Sequence, residues 1–232
     1  MLWIIGGWGD RSDSLESCAQ RLRCSLQLVP SESAKYGPWG IWRRREPDGV
    51  AGYDLVPIDT GNLDNLEDVI ETVTERIDER PHSAVGRIFR LARRAVDDCQ
   101  ATGSAGFEYT ARVGFAGAPS AHNHVAFDVE DDTDERTLVR YMSALVEAWE
   151  PDHLGVVTQQ TKRAQKHKPA QVAIGRLTYI RRGISLDSRV LDDQVPVAEA
   201  DGGRYIRVPG TPENPSLHHI RQVRRALGYP NP

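Results

Sequence analysis

The chain has 232 residues, 33 Asp and Glu against 29 Lys and Arg, and a mean hydropathy of -0.49. That length is enough for one sizeable core, and the ordinary charged fraction excludes a fibre or a disordered tail. A net charge of -4 and a pI near 6.0 leave no basic surplus to neutralise phosphates, which argues against a free-standing nucleic-acid binder.

The longest apolar run, Leu2–Ile5, is too short for a signal-peptide core or a membrane span. A soluble cytoplasmic protein with no membrane contact is the expectation. Three cysteines, Cys18, Cys24 and Cys99, form no CxxC and read as reduced thiols. Lysine is scarce beside arginine, which favours fixed, forked contacts over mobile ammonium groups.

Leu2–Gly6 reads as a short buried strand running into a glycine-rich turn. Asp13 with Glu16 three residues on predicts a capped helix through Leu15, Cys18, Ala19, Leu22 and Leu26, stopped by Pro30. Tyr36–Arg45 is punctuated by Gly and Pro and has no readable period. Leu55–Ile58 reads as a short extended piece. Leu66, Ile70, Val73 and Ile77 then mark a second helix ending before Pro81. Residues 83–99 fit helix and strand alike. Phe107–Val113 and Val125–Val129 alternate and are expected to pair antiparallel.

Thr133 or Asp134 caps a third helix with Leu138, Met142, Leu145 and Trp149 inside, ended by Pro151. Leu177–Ile180 and Arg204–Val208 are extended. Asn214 and Pro215 open a last helix that stops at Gly228. The order predicts one α+β domain over residues 1–232, with a mixed or mainly antiparallel sheet and flanking helices.

Catalytic signatures are sparse. Gly6-Gly7-Trp8-Gly9 lacks the GxGxxG spacing, and no GxSxG or SxxK is present. Alternation places His122 and His124 on one strand face. With nearby carboxylates they supply an alternative reading as a metal-dependent hydrolase, although no HExxH or CxxC completes a ligand set. His218 and His219 are adjacent on a helix, diverge by about 100° and read as surface residues. The expectation is no enzyme, no cofactor and no bound metal.

Interaction chemistry is richer. Glu130, Asp131, Asp132, Asp134 and Glu135 place five carboxylates in six residues at a helix entrance, an anionic patch for a cationic partner. Trp39 and Trp42 beside Arg43 form a second candidate contact, since Trp and Arg dominate interface hot spots.

Several pieces in order resemble the immunity protein 52 family of bacterial polymorphic-toxin systems. They are Trp3-Ile4-Ile5-Gly6 through Trp8-Gly9-Asp10-Arg11, then Trp149-Glu150-Pro151-Asp152, Gly175-Arg176-Leu177-Thr178-Tyr179 and Asn214-Pro215-Ser216-Leu217-His218. Arg176 stands where that family often has Trp. The resemblance implies a cytoplasmic immunity protein, as in type VI secretion. It would bind and neutralise a cognate toxin, expected to be a restriction-endonuclease-like DNase, without touching nucleic acid itself. Within those motifs Trp8, Arg11, Trp149, Asp152 and Tyr179 are expected to fix the fold, and the acidic turn to meet the toxin.

Overall fold

The computed structural model describes residues 1–44, 52–77, 86–96, 107–116, 123–168 and 171–230, with backbone alone at 74–77. Arg45, Pro81, Cys99 and His122 lie outside the described residues.

Strand β1 (Leu2–Trp8) buries Leu2, Ile4 and Trp8 on one face and turns Trp3 and Ile5 to the other. Helix α1 (Leu15–Leu28) is capped by Ser14, whose hydroxyl accepts the Ser17 amide at 3.1 Å. The expected cap, Asp13, is drawn away by Arg11 and Arg21. Strands β2 (Gly40–Arg44) and β3 (Tyr53–Pro57) pair antiparallel, with Pro57 tolerated because β3 is an edge. Helix α2 (Leu63–Ile77) follows, and within the described part of the ambiguous segment β4 (Arg87–Arg93) is a strand burying Phe89 and Leu91. Strands β5 (Phe107–Val113) and β6 (Asn123–Val129) are antiparallel neighbours.

Helix α3 (Glu135–Trp149) takes Asp134 as its cap and buries all four expected inner residues. Strand β7 (His153–Thr158) is buried on both faces, which erased the alternation that marks a strand in sequence. Helix α4 (Gln159–Ala164) is one short capped turn, and β8 (Leu177–Arg181) returns beside β7. Strands β9 (Val197–Ala200) and β10 (Gly203–Arg207) are joined at Asp201-Gly202, both at positive φ as a tight hairpin turn requires. Helix α5 (Leu217–Ala226) follows Ser216 rather than the expected Asn214, and Gly228 at φ 79° closes it.

Among the described residues all strands join one ten-stranded sheet in the order β3-β2-β4-β5-β6-β1-β7-β8-β10-β9, with every ladder antiparallel. A large sheet with flanking helices makes this an α+β fold. Helices sit on opposite faces at its two ends. The main core, under α1, α2 and α3, holds Leu22, Leu66, Phe127, Tyr109 and Trp149. A second core, under α5, holds Ile180, Ile206, Ile220 and Val223. Adjacent residues of β8 serve both, Tyr179 the first and Ile180 the second.

The second core is tied on by the segment at 171–175, which runs against the β7 backbone. A methyl group on Gly155 would stand 1.7 Å from the Ala173 carbonyl oxygen, and one on Gly175 would stand 1.6 Å from that of Val156. Gly155→Ala is therefore expected to lower stability in urea by about 2 kcal/mol or more, because backbone must yield. Gly183→Ala meets nothing within 4 Å and should leave the midpoint unchanged. Equal midpoints for the two variants would contradict this packing.

Candidate functional site

The motif residues converge where α3 ends. The Trp8 ring stacks on Trp149 with centroids 5.8 Å apart, and the Arg11 guanidinium lies 4.6 Å from the Trp8 centroid. Arg11 donates to the Trp149 carbonyl at 2.8 Å and to Asp13 at 3.0 Å, while Arg21 donates to the Ala148 carbonyl at 2.9 Å and to Glu150. Two arginines thus satisfy carbonyls that the helix end leaves open. Glu150 adopts φ 48°, and Asp152 accepts the Gly9 amide at 3.0 Å and pairs with Arg181 at 2.5 Å. The Trp149 indole donates to the buried Tyr109 hydroxyl. Tyr179 is buried and donates to the Asp201 carbonyl at 3.1 Å. Cys18 is also buried, which pushes its thiol up to about 11 and suits packing rather than nucleophilic chemistry.

The acidic turn is partly neutralised from within. Glu130 accepts from Lys35 at 2.7 Å and from the Tyr36 hydroxyl at 2.5 Å, contacts that hold its carboxyl below the usual range. Asp134 accepts the Thr137 hydroxyl and amide, which lowers it likewise. Glu135 pairs with Arg176 at 2.7 Å and Arg207 at 2.8 Å. Asp131 meets the Met1 amino group at 2.6 Å but is 57% exposed, and Asp132 is exposed beside it. The exposed carboxylates of the turn are therefore Asp131, Asp132 and Asp134, of which Asp131 is paired with the amino terminus and Asp134 is held by Thr137.

The tryptophan candidates do not form one patch. Trp39 is 8% exposed and packs edge-on against Phe107 and Tyr109 in the core. Trp42 and Arg43 point to opposite faces of β2, Trp42 beneath Arg94 and Arg43 beside Asn65, Asp68 and Glu71 of α2.

Sequence reasoning passed over the sheet face opposite α1–α3. On it Trp3, Ile5, Ile88, Glu108, Thr110, Arg112, His124, Ala126 and Asp128 are all half-buried, and no described helix covers its centre. The signal was present in the alternation itself, whose second set of residues is not uniformly polar. Lys162 of α4 lies 5.6 Å from the Trp3 ring centroid at its border. Asp128 accepts from the Trp3 indole, yet desolvation and the neighbouring Glu108 push its carboxyl up to about 6.

The predicted histidine pair is not available as a described metal site. His124 sits half-buried on this face, and its buried neighbour Asn123 bonds to Phe115 and Gly9. Among the described residues, the three side chains close enough to share an ion are Asp192, His218 and His219. No described helix is long and apolar enough to cross a membrane.

No family model matches the chain, and no curated protein matches it by sequence. Among solved structures, it is similar to Pseudomonas aeruginosa T6SS protein PA0821, with a TM-score of 0.55 and 12% identity. The likeness covers 98% of this chain and 75% of that one. At this identity, what the two chains demonstrably share is a fold.

The shift at Asp128 gives a signed expectation. Its folded value, about 6, exceeds the ordinary 3.8, so the charged form costs stability. That cost is absent below about pH 4, grows as pH rises through 6, and is full above it. Asp128→Asn should therefore be more stable than the parent at pH 8, by about 1 kcal/mol after solvent screening. The two should be equal near pH 4. Urea titrations at both values check this, and a pH-independent difference would contradict it.

Proposed function

We propose that this chain is a cognate immunity protein that binds a bacterial toxin of the T6SS kind and neutralises it by direct contact. The observation that carries the reading is the fold shared with a T6SS protein over nearly the whole chain. The motif resemblance to the immunity protein 52 family supports it independently, on residues that build the turn after β1, the end of α3 and the start of α5. We assign the toxin to the nucleases. A nuclease must hold phosphates on a cationic face, and an acidic protein with an exposed carboxylate turn suits such a face.

The contact is assigned to Asp131 and Asp132, two exposed carboxylates of the turn, with Glu130, Asp134 and Glu135 holding the turn in shape. Trp42 and Arg43 remain contact candidates only as separate surfaces, and the buried Trp39 supports β2 from below.

Co-expression with the neighbouring reading frame tests the function. That frame alone should arrest growth, and this chain should restore it and form a complex on a sizing column. Survival with the neighbour alone, or death despite this protein, contradicts the reading. The surface is tested by Asp131→Lys with Asp132→Lys, which spares the Asp134 cap. Toxin affinity should fall by about tenfold or more and its salt dependence should flatten. Unchanged affinity and salt slope would move the contact elsewhere.

A further inference from the structure

The end of the short 3-10 turn Ser188–Val190 and the first turn of α5 bring an acid and two imidazoles together. His219 Nε2 stands 3.2 Å from Asp192 Oδ2, and its Nδ1 is 2.7 Å from Ser216 Oγ. The ring of His218 is nearly perpendicular to that of His219, with centroids 5.1 Å apart. One ligand atom from each of the three residues lies within 4.8 Å of the others. Adjacent helical residues ordinarily diverge, but in this first turn His219 meets the Asp192 carboxylate and His218 keeps a ring nitrogen within 4.8 Å of both.

We propose that Asp192, His218 and His219 bind one divalent first-row transition ion, a site that ties α5 to the turn before β9. The separations suit it. Two ligand atoms about 2.0–2.1 Å from a tetrahedral zinc stand about 3.3 Å apart, close to the 3.2 Å between His219 and Asp192. Only His218 has to swing inward, and it is exposed and on the surface.

The surroundings supply the orienting contacts that metal ligands use. Ser216 does not cap the α5 amides and instead meets His219 Nδ1; with Nδ1–H donated to that hydroxyl, an ion would take the Nε2 lone pair in place of the proton that lies between Nε2 and Asp192 in the free protein. Asp192 Oδ1 accepts the Gln194 amide at 2.9 Å, which turns Oδ2 toward the imidazoles. The positive end of the α5 dipole opposes a cation, and the Asp192 charge offsets it. Two imidazoles and one carboxylate select zinc, nickel or copper over magnesium or calcium, and the fourth position is left to water.

Equilibrium dialysis of the full, untagged chain against zinc chloride tests the assignment. About one equivalent should bind, magnesium should not compete, and His124→Ala should bind as the parent does. Asp192→Asn should weaken binding by about tenfold or more, and His218→Ala with His219→Ala should abolish it. Because the double variant also loses the Ser216 contact, cobalt is added to the unaltered protein as a second readout. Its paramagnetism should shift the imidazole resonances of His218 and His219 selectively. No zinc uptake by the parent, full uptake by the double variant, equal competition by magnesium, or cobalt shifts centred on other histidines would each overturn the proposal.

Discussion

The end of helix α3 is the constraint on which the rest of the fold depends. Its last carbonyls are partly buried and lack helical partners, and Arg11 from the turn before α1 and Arg21 from within α1 reach across to take them. Those guanidiniums are held in place by Asp13, Glu150 and the face of Trp8, which itself stacks on Trp149. The same knot fixes the exit of β1 through Asp152 and the Gly9 amide, and the position of β8 through Arg181. A charged hydrogen bond contributes about 1.5–3 kcal/mol, so a few such contacts are comparable to much of a domain's net stability.

This explains the arginine bias in a way that salt bridges alone do not. Arg93 donates to the Tyr36 and Gly37 carbonyls, Arg176 to that of Val208, Arg204 to that of Ile184 and Arg224 to that of Pro230. The forked, planar head is used to satisfy backbone oxygen where the chain turns, which a lysine does poorly. Two cores on opposite faces of one sheet then leave the middle of the far face without a helix among the described residues, bordered by α4. The shape of the acidic turn before α3 is fixed directly by this framework, through Lys35, Tyr36, Arg176 and Arg207.

Much of the fold was legible because its period was clean. Helices α1 and α3 and strands β5 and β6 each bury one regular face, and hydrophobic spacing reveals that without knowledge of the partner. Strand β7 was not legible, because both its faces are covered and no alternation survives. Strand β9 is exposed along its length and exists through its pairing with β10, although Asp201-Gly202 is a hairpin signal that a closer reading would have used. The cap of α1 lies one residue later than its expected position because the arginines take Asp13, and that of α5 lies two residues later, at Ser216.

The candidate site was legible only as composition. Spacing revealed the five carboxylates of the turn, but which of them face outward depends on Lys35, Tyr36, Arg176 and Arg207, all distant in sequence. The same distance hid the burial of Trp39 and the meeting of Asp192 with two histidines. Hydrogen exchange of the chain alone and in complex with the proposed toxin is the most direct measurement. The account predicts new protection in the turn at Glu130–Asp134. Protection confined to the open sheet face or to α5, with that turn exchanging as in the free protein, would contradict it.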